Sequence, residues 1–112
     1  MLMIQTILKP QSLEPVREAL NELGLAGLTI TEVRGYGQQQ GHSEIYRGAE
    51  YRTDSQPRVS VELAVPEALS EQAMAAIRKA ANSGRVGDGK IFVRPLVRAS
   101  RIRTGEEGER AL

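Results

Sequence analysis

The apolar positions of this chain repeat at two different spacings. At positions 2–8 a mostly apolar run ends at Lys9-Pro10, which predicts a first strand. Positions 28–34 alternate apolar residues with threonine, and positions 58–65 show the clearest period of two in the sequence. Both segments are typical of strands, and the second should bury the face that carries its four apolar residues. Shorter strands are predicted at 91–93 and 96–102.

Two other segments show helical spacing. The first begins after Ser12, a residue type that caps helix N-termini, and ends at Gly24. Its apolar residues are Leu13, Val16, Leu20 and Leu23. The second covers positions 68–81, is rich in helix formers and stops at Asn82-Ser83-Gly84. Each pattern predicts an amphipathic helix with one face against the core.

The order of these elements is strand, helix, strand, strand, helix, strand. It predicts one α+β domain over residues 1–112, a ferredoxin-like βαββαβ sandwich in which two helices cover one face of a sheet. We expect apolar side chains on the other face, to be covered by oligomerisation. Between the second and third strands lies a polar segment of about twenty residues, 37–56, and loops of that length are usually functional or disordered.

The composition of the chain argues against several classes of function. The net charge of +1 is far from the basic balance of a protein that binds nucleic acid. The absence of cysteine excludes disulfides and thiolate sites and fits a reducing compartment. The first ten residues contain no charged segment before their apolar run and are too few to span a membrane, so we expect a cytoplasmic protein.

The clearest candidate for a binding site is the glycine-rich run from Gly84 to Lys90, which fits G-x-x-x-x-G-K. A phosphate-binding P-loop leads from a strand into a helix and continues with Ser or Thr, whereas here a helix precedes and Ile91 follows. The run is therefore either a tight connection with a solvated lysine or a weaker anion site built from backbone N–H groups and Lys90.

Other charged residues leave similar alternatives open. On a strand, Arg101 and Arg103 would project from one face and could converge on a phosphate or carboxylate. Alternatively, they could be solvated charges that prevent an exposed edge strand from pairing with other chains. Glu62 is the only acidic residue of the third strand and could accept hydrogen bonds from a ligand. His42 is the sole histidine and has no partner spacing that indicates a triad or a metal site, so an enzyme is disfavoured.

Three motifs carry a specific resemblance. They are Y-R-G-A-E-Y at 46–51, S-G-R-V-G-D-G-K-I-F-V at 83–93 and R-I-R-T-G-E-E at 101–107. Together they closely resemble the PII nitrogen-regulatory signal-transduction family, and the resemblance extends from I-L-K-P near the N-terminus through the last motif.

This resemblance implies a homotrimer of ferredoxin-like subunits with nucleotide sites in the clefts between neighbours. Segment 37–56 corresponds to the family's T-loop, 82–90 to its B-loop, and 96–112 to its C-terminal segment. It also implies competitive binding of ATP or ADP. The matching positions are Thr29, Gly35, Gly37, Gln38, Glu62, Gly87, Asp88, Gly89, Lys90, Arg101 and Arg103.

The resemblance implies further ligands and partners. Gln39, Gly41 and Arg58 match positions that hold 2-oxoglutarate, with Gln39 helping to hold its Mg²⁺, and Tyr51 matches a tyrosine that a uridylyltransferase modifies in many members. Through the T-loop the protein would control enzymes of nitrogen metabolism, or an ammonium or other transporter that recruits it to a membrane.

The sequence departs from the family at three positions. Most members read G-R-Q-K-G where this chain has Gly37-Gln38-Gln39-Gln40-Gly41, and Arg58 replaces the usual lysine. The glutamines at 38 and 40 remove two cations, which should weaken the binding of ATP relative to that of ADP. Arg58 offers 2-oxoglutarate a different geometry from that of lysine. The alternative is a divergent paralogue that senses adenylate charge or another small anion in carbon metabolism. A slow ATPase and a trimeric scaffold without ligand are the alternatives from other classes.

Overall fold

The computed structural model describes residues 1–37 and 55–112 in full and, between them, the backbone of the strands at 42–46 and 49–53. The strands are β1 (Leu2–Leu8), β2 (Thr29–Tyr36), β3 (His42–Tyr46), β4 (Ala49–Thr53), β5 (Ser55–Val65) and β6 (Gly89–Pro95). The helices are α1 (Leu13–Glu22) and α2 (Ser70–Ala81). Single 3₁₀ turns lie at Pro10–Ser12, Glu67–Leu69 and Gly108–Ala111.

Four strands form an antiparallel sheet in the order β2-β5-β1-β6. Each helix connects two strands of this sheet, β1 to β2 through α1 and β5 to β6 through α2. The order and the two crossover helices confirm the predicted ferredoxin-like α+β fold. No helix in the described part of the chain is long and apolar enough to cross a membrane.

The core lies between the helices and one face of the sheet. Side chains alternate across a strand, so every second residue of β1 and β5 points to the helices. The fully or nearly fully buried apolar residues are Ile4, Leu8, Val59, Val61, Leu63 and Val65 from the sheet and Val16, Leu20, Ala73, Ile77 and Ala81 from the helices. The period of two in β5 thus buries the face that the sequence predicted.

The open face of the sheet differs from the expectation of an apolar surface. Register pairs Thr29 with Glu62, Glu62 with Gln5, and Gln5 with Phe92, so a mostly polar row crosses all four strands. The exposed apolar side chains are instead spread over the edge strands and the C-terminal segment, where Val97 and Ile102 are almost fully exposed. Oligomerisation over this face stays a prediction.

The predicted strand at 96–102 is wrong. β6 is longer than predicted and ends at Pro95, which has no N–H to donate, and Leu96 N then donates to Met1 O at 3.1 Å. Beyond it the chain turns, with Gly105 N donating to Arg101 O at 2.8 Å, and only one isolated bridge joins Ser100 to Glu107. Among the residues that the structure describes, this segment has no neighbouring strand to pair with.

The polar segment between β2 and β5 contains secondary structure that the sequence did not predict. β3 and β4 pair as a two-stranded antiparallel sheet, from His42 opposite Thr53 to Tyr46 opposite Ala49. β2 and β5 also extend further than predicted, to Tyr36 and from Ser55. Polar strands without an alternating apolar pattern give no signal at period two, although Gly48 in the sequence between β3 and β4 is a residue type that favours hairpins.

The central position of Ile4 provides a test of this core. Ile4 is fully buried in β1 and lies opposite both Leu63 and Val93. We expect Ile4→Ala to lower the free energy of unfolding by about 2–5 kcal/mol, because it removes buried methyl groups and leaves a cavity. Urea denaturation at fixed protein concentration measures the loss.

Ile102→Ala removes the same atoms from a side chain that the chain leaves exposed. It should change the free energy of unfolding by less than about 0.5 kcal/mol. A loss below about 1 kcal/mol for Ile4→Ala would contradict the central role of this residue.

Candidate functional site

The glycine-rich loop between α2 and β6 approaches the end of β1 closely. Gly89 lies opposite Leu8 in the sheet and has a φ of 115°. A Cβ atom at this position would lie 1.9 Å from the carbonyl oxygen of Ile7. Gly87 also has a positive φ, of 96°. Only glycine combines these conformations with such a close backbone approach, so the loop follows a path that other residues would block.

Asp88 holds this loop together. Its carboxylate accepts hydrogen bonds from the backbone N–H of Ser83 at 2.8 Å and of Gly84 at 3.1 Å, and from the hydroxyl of Ser83. Lys9, at the end of β1, forms an ion pair with it at 3.4 Å. Both side chains of this pair are about four-fifths buried, at 19% and 22% exposed. Asp88 therefore joins both ends of the loop to β1.

These contacts favour the ionised carboxylate. The hydrogen bond from the Ser83 hydroxyl, followed by that from the Ser83 N–H, lowers the pKa of Asp88 from 3.8 to about 2, and Lys9 contributes in the same direction. Because the carboxylate is occupied inside the loop, the side chain of Asp88 has little capacity left for a ligand. Its role is to position the loop.

The open face of the sheet carries a connected polar cluster beside this loop. Gln5 donates to the hydroxyl of Ser60 at 3.2 Å and accepts from Arg94 at 3.5 Å. Arg94 also lies 3.8 Å from Glu62, in a partly exposed ion pair. Thr29 lies opposite Glu62 on the neighbouring strand and is exposed. Thr29 and Glu62, predicted as site residues, are therefore adjacent.

An open groove of about 430 Å³ lies between this face and the loop. Its lining residues are Ile7, Arg58, Val86, Gly87, Gly89, Lys90 and Phe92. Two cations, Arg58 and Lys90, thus share a groove with two glycines of the loop. The side chain of Lys90 is exposed and has no hydrogen bond or ion pair among residues 1–37 and 55–112. The groove offers positive charge to an anion.

Arg58 is partly constrained within the chain. Its guanidinium donates to the carbonyl oxygen of Pro57 at 2.9 Å. Its Cγ atom lies 3.3 Å from where a Cβ of Gly35 would be, so glycine at 35 leaves room for the arginine. Gly35 and Arg58 are close because β2 pairs with β5, which the sequence could not reveal.

The structure does not bring Arg101 and Arg103 into the groove. Both lie in the C-terminal turn instead of on a strand, so the argument that they project from one strand face is wrong. Arg101 contacts Glu106 at 3.5 Å and donates to the carbonyl oxygen of Leu112 at 3.1 Å. Arg103 is exposed.

Several predicted site residues stay untested. Gln38, Gln39 and Gly41 lie outside the described residues, and Tyr51 belongs to β4, of which only the backbone is described. Gly37 follows β2, and a Cβ there would have nothing within 4 Å. Conversely, sequence reasoning missed the roles of Lys9, Ser83 and Arg94, which depend on register. In the sequence, Lys9 indicated only that the first strand ends at Lys9-Pro10.

Comparison with known proteins gives a consistent result. The family model described as nitrogen regulatory protein P-II matches residues 1–106. The chain belongs to the P-II family. It is 54% identical over 109 residues to the nitrogen regulatory protein P-II of Rhodospirillum rubrum and 53% identical over 109 residues to that of Haemophilus influenzae. It is also 50% identical over 109 residues to nitrogen regulatory protein P-II 1 of Escherichia coli. In each case 97% of both chains is covered.

Within this P-II chain, the lowered pKa of Asp88 predicts a pH-dependent stability. Since the folded value of about 2 is below the ordinary value of 3.8, the unfolded chain binds the proton at higher pH. The contribution of Asp88 should be fully present above about pH 5 and be lost as the pH falls through 3.8 towards 2.

Urea midpoints of the unmodified protein and of Asp88→Asn between pH 7 and pH 2 measure this dependence. The difference between them should be constant above about pH 5 and shrink below it. Glu109→Gln, at an exposed carboxylate in the C-terminal 3₁₀ turn, is the control and should show no such change. A difference that does not depend on pH would contradict the role of the charge.

Proposed function

We propose that this P-II protein is a non-catalytic regulator that binds ATP and ADP competitively and controls nitrogen-metabolism targets through its T-loop. The observation that carries the proposal is the groove in which Lys90 and Arg58 lie against Gly87 and Gly89. Glycines let backbone N–H groups approach phosphate oxygens, and the two side chains add positive charge. The network around Asp88 holds this loop in place before a ligand binds.

The polar row on the open face supports the proposal that the ligand is an adenine nucleotide. The carboxylate of Glu62 can accept a hydrogen bond from the amino group of adenine, and Thr29 beside it adds a hydroxyl. The ion pair of Glu62 with Arg94 is long and partly exposed, so breaking it costs little. Ile7 and Phe92 provide apolar surface in the same groove for the base.

The second half of the site comes from a neighbouring subunit in this proposal. Arg101 and Arg103 match the family's nucleotide positions but do not line the groove of their own chain. We infer that the protein is a homotrimer in which these arginines complete the groove of the next subunit. This would also cover some of the exposed apolar side chains, such as Val97.

The response to 2-oxoglutarate is the least ordinary part of the proposal. We propose that Arg58, with Gln39 and Gly41, binds 2-oxoglutarate and that Gln39 helps to hold Mg²⁺. Arg58 already lies in the groove but has a bulkier head group than lysine and donates to Pro57 O. These features favour, as the second candidate, an adenylate sensor with weak or no 2-oxoglutarate response.

Regulation would proceed by population shift. Each ligand would bind one T-loop conformation better than another, and the loop would then engage a target enzyme or a transporter. Tyr51 would be available to a uridylyltransferase. We propose a cytoplasmic protein that a membrane transporter can recruit.

The nucleotide proposal is tested first by calorimetric titration of ATP, ADP and AMP. We expect Lys90→Gln to weaken the binding of ATP about tenfold or more and that of AMP much less, because the lysine would contact the phosphates furthest from the base. Lys79→Gln removes an equal charge from the exposed side of α2 and should change neither affinity. No nucleotide binding at all would leave the scaffold alternative, and steady phosphate release from ATP with Mg²⁺ would favour an ATPase.

Mixed trimers test whether neighbouring subunits share the site. Lys90→Gln and Arg103→Gln subunits each lack one half, so trimers of either alone should bind ATP weakly. Every mixed trimer should regain one intact site, since one interface then pairs an unmodified Lys90 with an unmodified Arg103. Unchanged weak binding after mixing would contradict a shared site.

Titration of 2-oxoglutarate into the ATP complex with Mg²⁺ separates the two candidate functions. We expect binding to the unmodified protein that depends on ATP, and at least about tenfold tighter binding to Arg58→Lys, because lysine restores a compact point charge. Tight binding to the unmodified protein that depends on ATP would make it an ordinary nitrogen and carbon sensor. No binding to either protein would favour the adenylate sensor.

A further inference from the structure

A second cavity lies on the opposite side of the sheet from the nucleotide groove. It has a volume of about 380 Å³ and lies between the C-terminal half of α2 and the strands β1 and β6. Its lining residues are Thr6, Leu8, Met74, Ile77, Arg78, Ala81, Asn82, Asp88, Gly89, Lys90 and Ile91. This volume is within the range of small-molecule sites.

The inner wall of the cavity contains one unsatisfied polar group. Thr6 points to the helices, is only 1% exposed, and its hydroxyl has no hydrogen-bond partner in the part of the chain that is described. Its neighbours in the wall are apolar, among them Leu8, Ile77 and Ile91. A buried hydroxyl without a partner is costly, and valine would fill the same volume without that cost. The hydroxyl thus marks a place for a polar atom that the chain itself does not supply.

One cation lies at the mouth of the cavity. Arg78 lines it and is exposed, whereas the side chain of Lys90 points to the groove, because Lys90 lies opposite Ile7 of β1. Arg78 has no ion pair among the described residues, and the single carboxylate in the lining, Asp88, is held by Ser83 and Lys9. Arg78 also lies in the last turn of α2, where a cation is favoured. The opening therefore attracts a carboxylate.

We propose that this cavity binds a small carboxylate that has a mainly hydrocarbon body and a second oxygen at its far end. The carboxylate would contact Arg78 at the mouth, the body would pack against Ile77 and Ile91, and the second oxygen would accept a hydrogen bond from Thr6. A dicarboxylate such as 2-oxoglutarate is excluded, because its inner carboxylate would lie against apolar walls without a countercharge.

The wall beside Thr6 can adjust to such a ligand. Met74 is only partly buried against the core and forms part of this wall. Its unbranched side chain has three rotatable bonds and adapts to irregular spaces. Rotation about the Cα–Cβ bond of Thr6 exchanges its methyl and hydroxyl groups, so the hydroxyl can turn towards the cavity.

Three molecules of similar size test the proposed chemistry. 4-Oxopentanoate has both polar ends, pentanoate lacks the inner oxygen, and 2-pentanone lacks the carboxylate. Titration of each into the nucleotide-free protein, followed by NMR of the methyl groups of Met74, Ile77 and Ile91, measures binding at the cavity. We expect a dissociation constant on the order of 1 mM for 4-oxopentanoate, as for other ligands of this size, and weaker binding of the other two.

Matched variants assign the contacts. Arg78→Gln should weaken the binding of 4-oxopentanoate and pentanoate about three- to tenfold and leave the binding of 2-pentanone unchanged. Lys79→Gln removes the neighbouring charge from the same helix turn but does not line the cavity, so it should have no effect. Thr6→Val should remove the preference for 4-oxopentanoate over pentanoate while the protein stays folded, with an equal or higher melting temperature.

Other outcomes would overturn the inference. Equal binding of all three molecules would indicate an apolar hole without recognition of the head group. No methyl shifts with 4-oxopentanoate at tens of millimolar would mean that the cavity is closed in the assembled protein or filled with water. An unchanged preference in Thr6→Val would remove the hydroxyl from the site. The test needs no nucleotide, so its failure is distinct from failure of the proposed regulatory function.

Discussion

The position of the glycine-rich loop depends on Asp88, whose carboxylate joins Ser83 and Gly84 to Lys9. Lys9 and Asp88 are far apart in sequence and meet because β1 pairs with β6, which places Leu8 opposite Gly89. Asp88 also accepts hydrogen bonds from the N–H groups of Ser83 and Gly84. Because Gly89 has no side chain, its backbone can pass close to Ile7. A charged residue in a loop thus acts as a structural tie to the sheet, with its burial offset by several hydrogen bonds.

The central strand β1 contributes to both sides of the molecule. Ile4, Thr6 and Leu8 point to the helices, and Gln5 and Ile7 point to the open face. One side therefore contains the core and the cavity near Thr6, and the other contains the polar row and the groove. The two proposed sites are separated by the thickness of a sheet and share the loop at one end, because Gly89 and Lys90 line both. A ligand on either side would contact the same few loop residues.

In the described part of the single chain, the positive groups of the proposed nucleotide site lie in two separate places. Lys90 and Arg58 lie in the groove, whereas Arg101 is held in the C-terminal turn by Glu106 and the carbonyl oxygen of Leu112. Groups that are held apart within one chain can act on one anion only if another copy supplies one of them. This geometry is the physical reason for placing the proposed nucleotide site between subunits.

The spacing of apolar residues was enough to predict the main elements, because a period of two or a helical period records which face of an element is buried. It indicated Val61 and Ile77 as core positions, and the motifs of the sequence indicated the P-II family. It did not determine the hairpin of β3 and β4, where no apolar pattern exists, or the end of β6 at Pro95. The fold, in contrast, was needed to show that Lys9 meets Asp88, that Arg58 shares a groove with Lys90, and that the hydroxyl of Thr6 has no partner among the described residues. Those facts depend on strand register and on the path of the loop, which bring together residues whose separation in sequence carries no local signal.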